Sequence, residues 1–176
     1  MFNGIAYCTC NIKQGKSISL SFNYDGDKDI CTVNAQGVDN GYMMSTFSLP
    51  EEVKKGGNKA LYTCPGGSTA KYAQCDGGTC FKSTIGQTFP GVGKLGPDEI
   101  ICSCPITQAK PGTSTAGYQI LGPYPCDKSF FKYCRSTVAN GNTGSTIYVG
   151  APIGTAAGLT VLLDGKAPPL NDCGSE

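Results

Sequence analysis

The chain has 176 residues, eleven cysteines, no histidine and a formal net charge of +1. Without His, neither Ser-His-Asp nor Cys-His catalysis is available, nor is any metal site that needs imidazole; near-zero charge excludes the one-sign excess of a nucleic-acid footprint or polybasic membrane patch. Ile, Leu, Val and Phe number only 34 of the 176 residues, so the core is thin and cross-links are expected to hold it, each worth about 2–4 kcal/mol of a net stability of about 5–15 kcal/mol.

In chain order, Ala6-Tyr7-Cys8-Thr9-Cys10-Asn11-Ile12 is echoed by Ile100-Ile101-Cys102-Ser103-Cys104-Pro105-Ile106, each with C-x-C followed by Ile. Residues 17–24 alternate polar and apolar side chains, the pattern of a strand with one buried face. Asp25-Gly26-Asp27-Lys28-Asp29 follows. Three alternate carboxylates on a turn (Asp25, Asp27 and Asp29) make a weak Ca²⁺ candidate, because Ile30 and Gln36 replace the Gly and Glu of an EF-hand loop; a solvated Asp/Gly turn capping the preceding strand is the simpler account of them.

Further strands are predicted at 31–33, 42–47, 60–64, 99–104, 117–121, 145–149 and 159–163, separated by Gly-, Pro-, Asn- and Asp-rich turns. Helix is scarce. Ser48-Leu49-Pro50-Glu51 fits a capping box ahead of one or two turns over 52–55, stopped by Gly56-Gly57. A longer helix is predicted over 127–137, capped by Asp127, with Phe130, Phe131 and Cys134 facing inward. Short strands at this spacing predict a mainly β, disulfide-stabilised antiparallel sandwich or barrel with one or two short helices. The chain reads as one domain over 1–176, and the C-x-C echo suggests two related β units at about 1–64 and 65–173.

The cysteines are Cys8, Cys10, Cys31, Cys64, Cys75, Cys80, Cys102, Cys104, Cys126, Cys134 and Cys173, and all are disulfide candidates. No C-x-x-C occurs, which removes the thioredoxin-type motif and the usual zinc-knuckle spacing. Along a strand, i and i+2 lie about 6.6 Å apart, whereas a disulfide needs Cβ atoms about 4 Å apart. A C-x-C pair is therefore expected to reach two separate neighbours rather than close on itself. Cys75 with Cys80, and Cys126 with Cys134, are short-range pairings to consider, and Cys173 is expected to tie down the C-terminus. A thiolate metal site is the alternative use of the C-x-C pairs.

Abundant cysteine points to an oxidising compartment, secreted or periplasmic. Met1-Phe2-Asn3-Gly4 lacks the features of a signal peptide, so the expectation is a mature segment carrying an added Met, with the odd cysteine's partner outside it. No apolar run approaches the roughly 20 residues that span a bilayer. Asp98-Glu99 is the other carboxylate pair, but neighbours on a strand point to opposite faces and cannot share one site. Tyr42-Met43-Met44, Tyr118 and Tyr148 are candidates for an aromatic face toward protein or carbohydrate, with cross-strand packing as the competing explanation. The functional expectation is a binding or structural domain, without nucleic-acid partner or obligate cofactor. A histidine-free Asp/Glu hydrolase and a thiolate metal protein are the alternatives, and the ligand and oligomeric state are open.

Overall fold

The computed structural model of the chain describes residues 4–19, 30–48, 60–66, 70–82, 93–109, 117–134, 147–171 and 173. These parts form a mainly β structure of two sheets with three short helices. None of the described helices is long and apolar enough to cross a membrane.

The first sheet is organised by β6 (Glu99–Gln108), the longest of the described strands. Along one side of it runs β1 (Ile5–Asn11), antiparallel from Ile5↔Pro105 to Asn11↔Glu99. On the other side β5 (Thr79–Phe81) and β4 (Lys71–Ala73) share its length, through Cys80↔Cys102 and Ala73↔Ile106. Beyond β5 lies β2 (Tyr42–Met44). The two echoed C-x-C segments are thus hydrogen-bonded neighbours, with Cys8 directly opposite Cys102.

In the second sheet β7 (Gly117–Gly122) pairs antiparallel with β3 (Ala60–Pro65), while β8 (Ala151–Pro152) and β9 (Leu170–Asn171) flank them. Tyr62 and Cys64 face the same way as their partners Ile120 and Tyr118, and this face is the core. The sheets meet at Ala73, whose N–H donates to the Tyr148 carbonyl and whose carbonyl accepts from Gly150 N–H. Tyr72 of one sheet stacks on Tyr118 of the other with ring centroids 4.9 Å apart. At Gly150 a Cβ would lie 2.8 Å from the Tyr118 ring, so only glycine lets the chain cross between the sheets here. Strand pairs link both halves of the sequence, and β3 itself runs across residues 64 and 65.

The 127–137 prediction matches a helix over Phe130–Cys134, here α2, with Phe130, Phe131 and Cys134 buried; residues 135–137 lie outside the described parts. Asp127 accepts from the Ser129 backbone N–H at 2.7 Å, and its bonds with Ser129 hold this exposed carboxyl below the usual carboxylate range. A Cys64–Cys134 disulfide fixes α2 to β3, and the buried Tyr118 hydroxyl donates to the Cys134 carbonyl at 2.6 Å.

Two predicted strands are helical. Residues 31–33 lie in α1 (Ile30–Val38), where tertiary contacts overrule the β preference of Cys-Thr-Val. The Asn34 amide pairs with the backbone of Met44, donating to its carbonyl and accepting its N–H. Gly37 makes room for the Tyr42 ring, which a Cβ would meet at 2.7 Å. Residues 159–163 lie in the third helix, α3 (Thr155–Asp164). A short apolar run does not distinguish strand from buried helix; here glycines with positive φ at 154 and 165 frame a helix that buries Ala156, Leu159 and Thr160. Gly165 closes it in the left-handed conformation, its N–H donating to the Val161 carbonyl. Of the 17–24 segment only residues to 19 are described, with Ile18 bridged to Phe47. The 52–55 helix, and residues 145 and 146 of the 145–149 strand, lie outside the described residues, while Val149 bridges Ala73.

Two consequences for stability follow. Cys64 and Cys134 are 70 residues apart, and a cross-link of that length restricts the unfolded chain by about 4 kcal/mol. The double variant Cys64→Ala/Cys134→Ala is expected to lose about that much in urea unfolding. Burial also raises the phenol pKa of Tyr72, Tyr118, Tyr124 and Tyr148 above the free value of 10.0. A raised folded-state pKa gives stability that is complete below the unfolded pKa and disappears as pH climbs through the folded one. Urea unfolding free energy is therefore expected to fall steadily above pH 10.0, with phenolate absorbance growing as the chain unfolds.

Candidate functional site

Strand alternation gives the first sheet two chemically different faces. Cys102 and Cys104 of β6, Cys80 of β5 and Cys8 and Cys10 of β1 share one, together with Ala6, Ile100 and Ile106. Two disulfides cross it, Cys80–Cys102 and Cys75–Cys104. Cys102 and Cys104 thus reach two separate partners, one on β5 and one on the turn before it.

That turn is Cys75-Asp76-Gly77-Gly78, closed by the Gly78 N–H donating to the Cys75 carbonyl at 2.9 Å. Gly77 takes the positive φ of 76° that the reversal requires. Gly78 lies so close to β6 that a Cβ would fall 2.2 Å from the Ser103 carbonyl oxygen. The two disulfides bracket this turn from the cysteine face, fixing its position against β6.

The opposite face carries the intervening residues. Tyr42 stands across from Phe81, Phe81 across from Ile101, and Ile101 across from Thr9. Tyr7, one pair further along, sits opposite Ser103 and packs edge-on against Phe81 with centroids 6.5 Å apart. Tyr7, Tyr42 and Phe81 are 46%, 41% and 37% exposed, so three aromatic rings lie open in a band across the sheet. Beside the band is a cleft of about 400 Å³ lined by Ile5, Gln74, Asp76, Gly77, Gly78, Thr79, Ser103 and Pro105. Among the described residues its polar side chains are an amide, a carboxylate and two hydroxyls, and Ser103 Oγ donates to the Thr79 carbonyl at 3.0 Å.

The sequence-predicted sites are distributed differently. Tyr118 is fully buried in the core and has no place on a binding face. Tyr148 is half-buried in the cluster with Tyr124 and Tyr133, whereas Tyr42 does join the exposed band. Glu99 accepts the Gly96 N–H at 2.6 Å and closes the turn before β6; the exposed Asp98 also lies away from the cleft. Asp25, Asp27 and Asp29 lie outside the described residues, as does the side chain of Cys31.

The short-range cysteine pairings are corrected. Cys75 bonds Cys104 rather than Cys80, Cys134 bonds Cys64 rather than Cys126, and Cys126 bonds Cys173. Cys8 and Cys10 are free thiols, not disulfides. Their β6 opposites are Cys102, already bonded to Cys80, and Ile100. Burial pushes both thiol pKa values up, that of Cys10 to about 11 with a further push from Cys8. Tyr7, Phe81 and the cleft residues were not singled out from the sequence. The signal for Tyr7 was present, since in a C-x-C strand the residues flanking each Cys must face away from the sulfur side.

Comparison of the chain with protein-family models, curated proteins and solved structures finds no match. The close approach at Gly78 is open to a direct check. Gly78→Ala is expected to destabilise the fold by about 1–3 kcal/mol, because backbone must yield. Gly158→Ala is expected to stabilise by up to about 1 kcal/mol, since a Cβ on this exposed helical position of α3 meets nothing within 4 Å. Urea unfolding of the two variants measures both.

Proposed function

We propose that this chain is an extracytoplasmic, disulfide-stapled binding domain that holds a neutral carbohydrate on the outer face of its first sheet. The observation that carries the reading is the band Tyr7–Phe81–Tyr42 beside a polar cleft on one rigid sheet. Aromatic rings combine large contact area with little entropy to lose, and a few fixed polar groups in a concavity supply orientation. A sugar offers both complements, with C–H faces for the rings and hydroxyls for Gln74, Asp76, Thr79 and Ser103.

Charge agrees with a neutral ligand. Among the described residues the polar side chains lining the cleft are Gln74, Asp76, Thr79 and Ser103, with no Lys or Arg among them to select an anionic group. The described lining holds one carboxylate, Asp76, whereas hydrolysis of a glycosidic bond uses two facing carboxyls; binding is the reading that the described lining supports. Four disulfides among the described residues support an oxidising compartment.

An array of neutral oligosaccharides tests the proposal, followed by titration calorimetry with the best-bound sugar. Binding is expected, with Tyr7→Ala or Phe81→Ala each weakening affinity roughly tenfold or more and Tyr148→Phe leaving it unchanged. An array with no bound glycan, or affinity that ignores Tyr7 and Phe81, overturns the reading.

A further inference from the structure

Cys8 is free, yet its sulfur lies within 4.8 Å of both sulfurs of the Cys75–Cys104 bridge. All three stand on the same sheet face, where the described residues clustered with them include Cys10, the Cys80–Cys102 bridge and the apolar Ala6, Ala73, Ile100, Ile106, Met43 and Ile147. We propose that the three sulfurs form an exchange centre in which the Cys8 thiolate attacks Cys75 Sγ, so that the bridge migrates from Cys75–Cys104 to Cys8–Cys75.

The step balances without an outside oxidant. An electron pair on Cys8 Sγ makes the new S–S bond, the old bond breaks with its pair leaving on Cys104 Sγ, and Cys104 takes up the proton that Cys8 gave. The number of disulfides is unchanged. The register selects which sulfur is attacked. Cys104 stands opposite Ala6, which makes it a diagonal neighbour of Cys8 on a paired strand, and diagonal Cβ atoms are too far apart to bridge without distorting both strands. Cys75 belongs to a turn, which can follow its sulfur.

Exchange proceeds through the thiolate. On the sulfur face of its own strand the titratable neighbour of Cys8 is Cys10, which is hydrogen-bonded to Ser45, while Tyr7 points to the other face; the described side chains clustered here from β4, β6, β2 and residue 147 are apolar or cysteine. Burial alone raises the Cys8 pKa, so the thiol form prevails at neutral pH and the native bridge is kinetically protected there. As pH rises toward that pKa, each unit brings about ten times more thiolate. Migration moves the anchor of the 75–78 turn from β6 to β1, and that turn supplies Asp76, Gly77 and Gly78 to the cleft. This effect on the ligand rests on the carbohydrate reading; the exchange itself does not.

The test needs no ligand, so its outcome is separate from that of the glycan array. Folded, unreduced chain is held at pH 6 or pH 9, quenched in acid, alkylated and digested with pepsin, and the linked peptides are identified by mass spectrometry. At pH 6 the expected species has Cys75–Cys104 linked and Cys8 alkylated. At pH 9 a Cys8–Cys75 peptide is expected, matched by alkylation at Cys104 and forming at a rate that rises about tenfold per pH unit. Cys8→Ser should hold the native bridge at both pH values, while Cys10→Ser should leave migration intact. The proposal fails if wild-type protein keeps only Cys75–Cys104 at pH 9, if migration persists in Cys8→Ser, or if the new linkage is Cys8–Cys104.

Discussion

Everything in the first sheet depends on a single strand being used on both faces. β6 alternates Ile100, Cys102 and Cys104 with Ile101, Ser103 and Pro105. One set turns sulfur and aliphatic groups toward the core, and the other presents the floor of a cleft and the support of an aromatic band. A one-residue slip would exchange the two sets and expose the cysteines. Hydrogen bonding to β1 on one side and to β4 and β5 on the other opposes such a slip, and so do the two disulfides, which tie fixed positions of β6 to the turn and to β5.

The disulfides do for this chain what a larger core does elsewhere. With so few branched aliphatic residues, the second sheet is filled chiefly by rings, Tyr62, Tyr72, Tyr118, Phe130 and Phe131, around the buried Cys64–Cys134 bridge. Tyrosines in such a core need partners for their hydroxyls, and Tyr118 finds one in the Cys134 carbonyl. Bridge and hydrogen bond converge on the same end of α2, which holds a five-residue helix that would be too short to persist alone.

The class of fold and the main strands were legible in the sequence because short β-prone runs bounded by Gly/Pro turns are local signals. Residues 60–64, 99–104 and 117–121 show this, as does the inward face of Phe130, Phe131 and Cys134. What was not legible depended on distant partners. The strand-like 31–33 became helix because Asn34 docks on Met44, a contact no local window contains. Residues 159–163 read as a strand because a short apolar run looks alike in strand and buried helix, whereas the glycines at 154 and 165 that end the helix lie outside that run. Cysteine spacing suggested short-range closures, while the pairs formed join residues 22 to 70 positions apart. The cleft was hidden for the same reason: Ile5, Asp76 and Ser103 meet only once β1, the 75–78 turn and β6 are side by side. By contrast, the outward direction of Tyr7 was implied by the C-x-C spacing around it.

Paired on both sides and bridged twice, β6 is the rigid element on which turn, cleft and aromatic band are built. Native-state hydrogen exchange read residue by residue tests this most directly, because amides of the most tightly held element open only with the whole fold. Ile100 to Cys104 are expected to exchange slowest within the described first sheet, at the rate of global unfolding. Exchange of these amides ahead of those in β2 or β4 would show that β6 is not the rigid element.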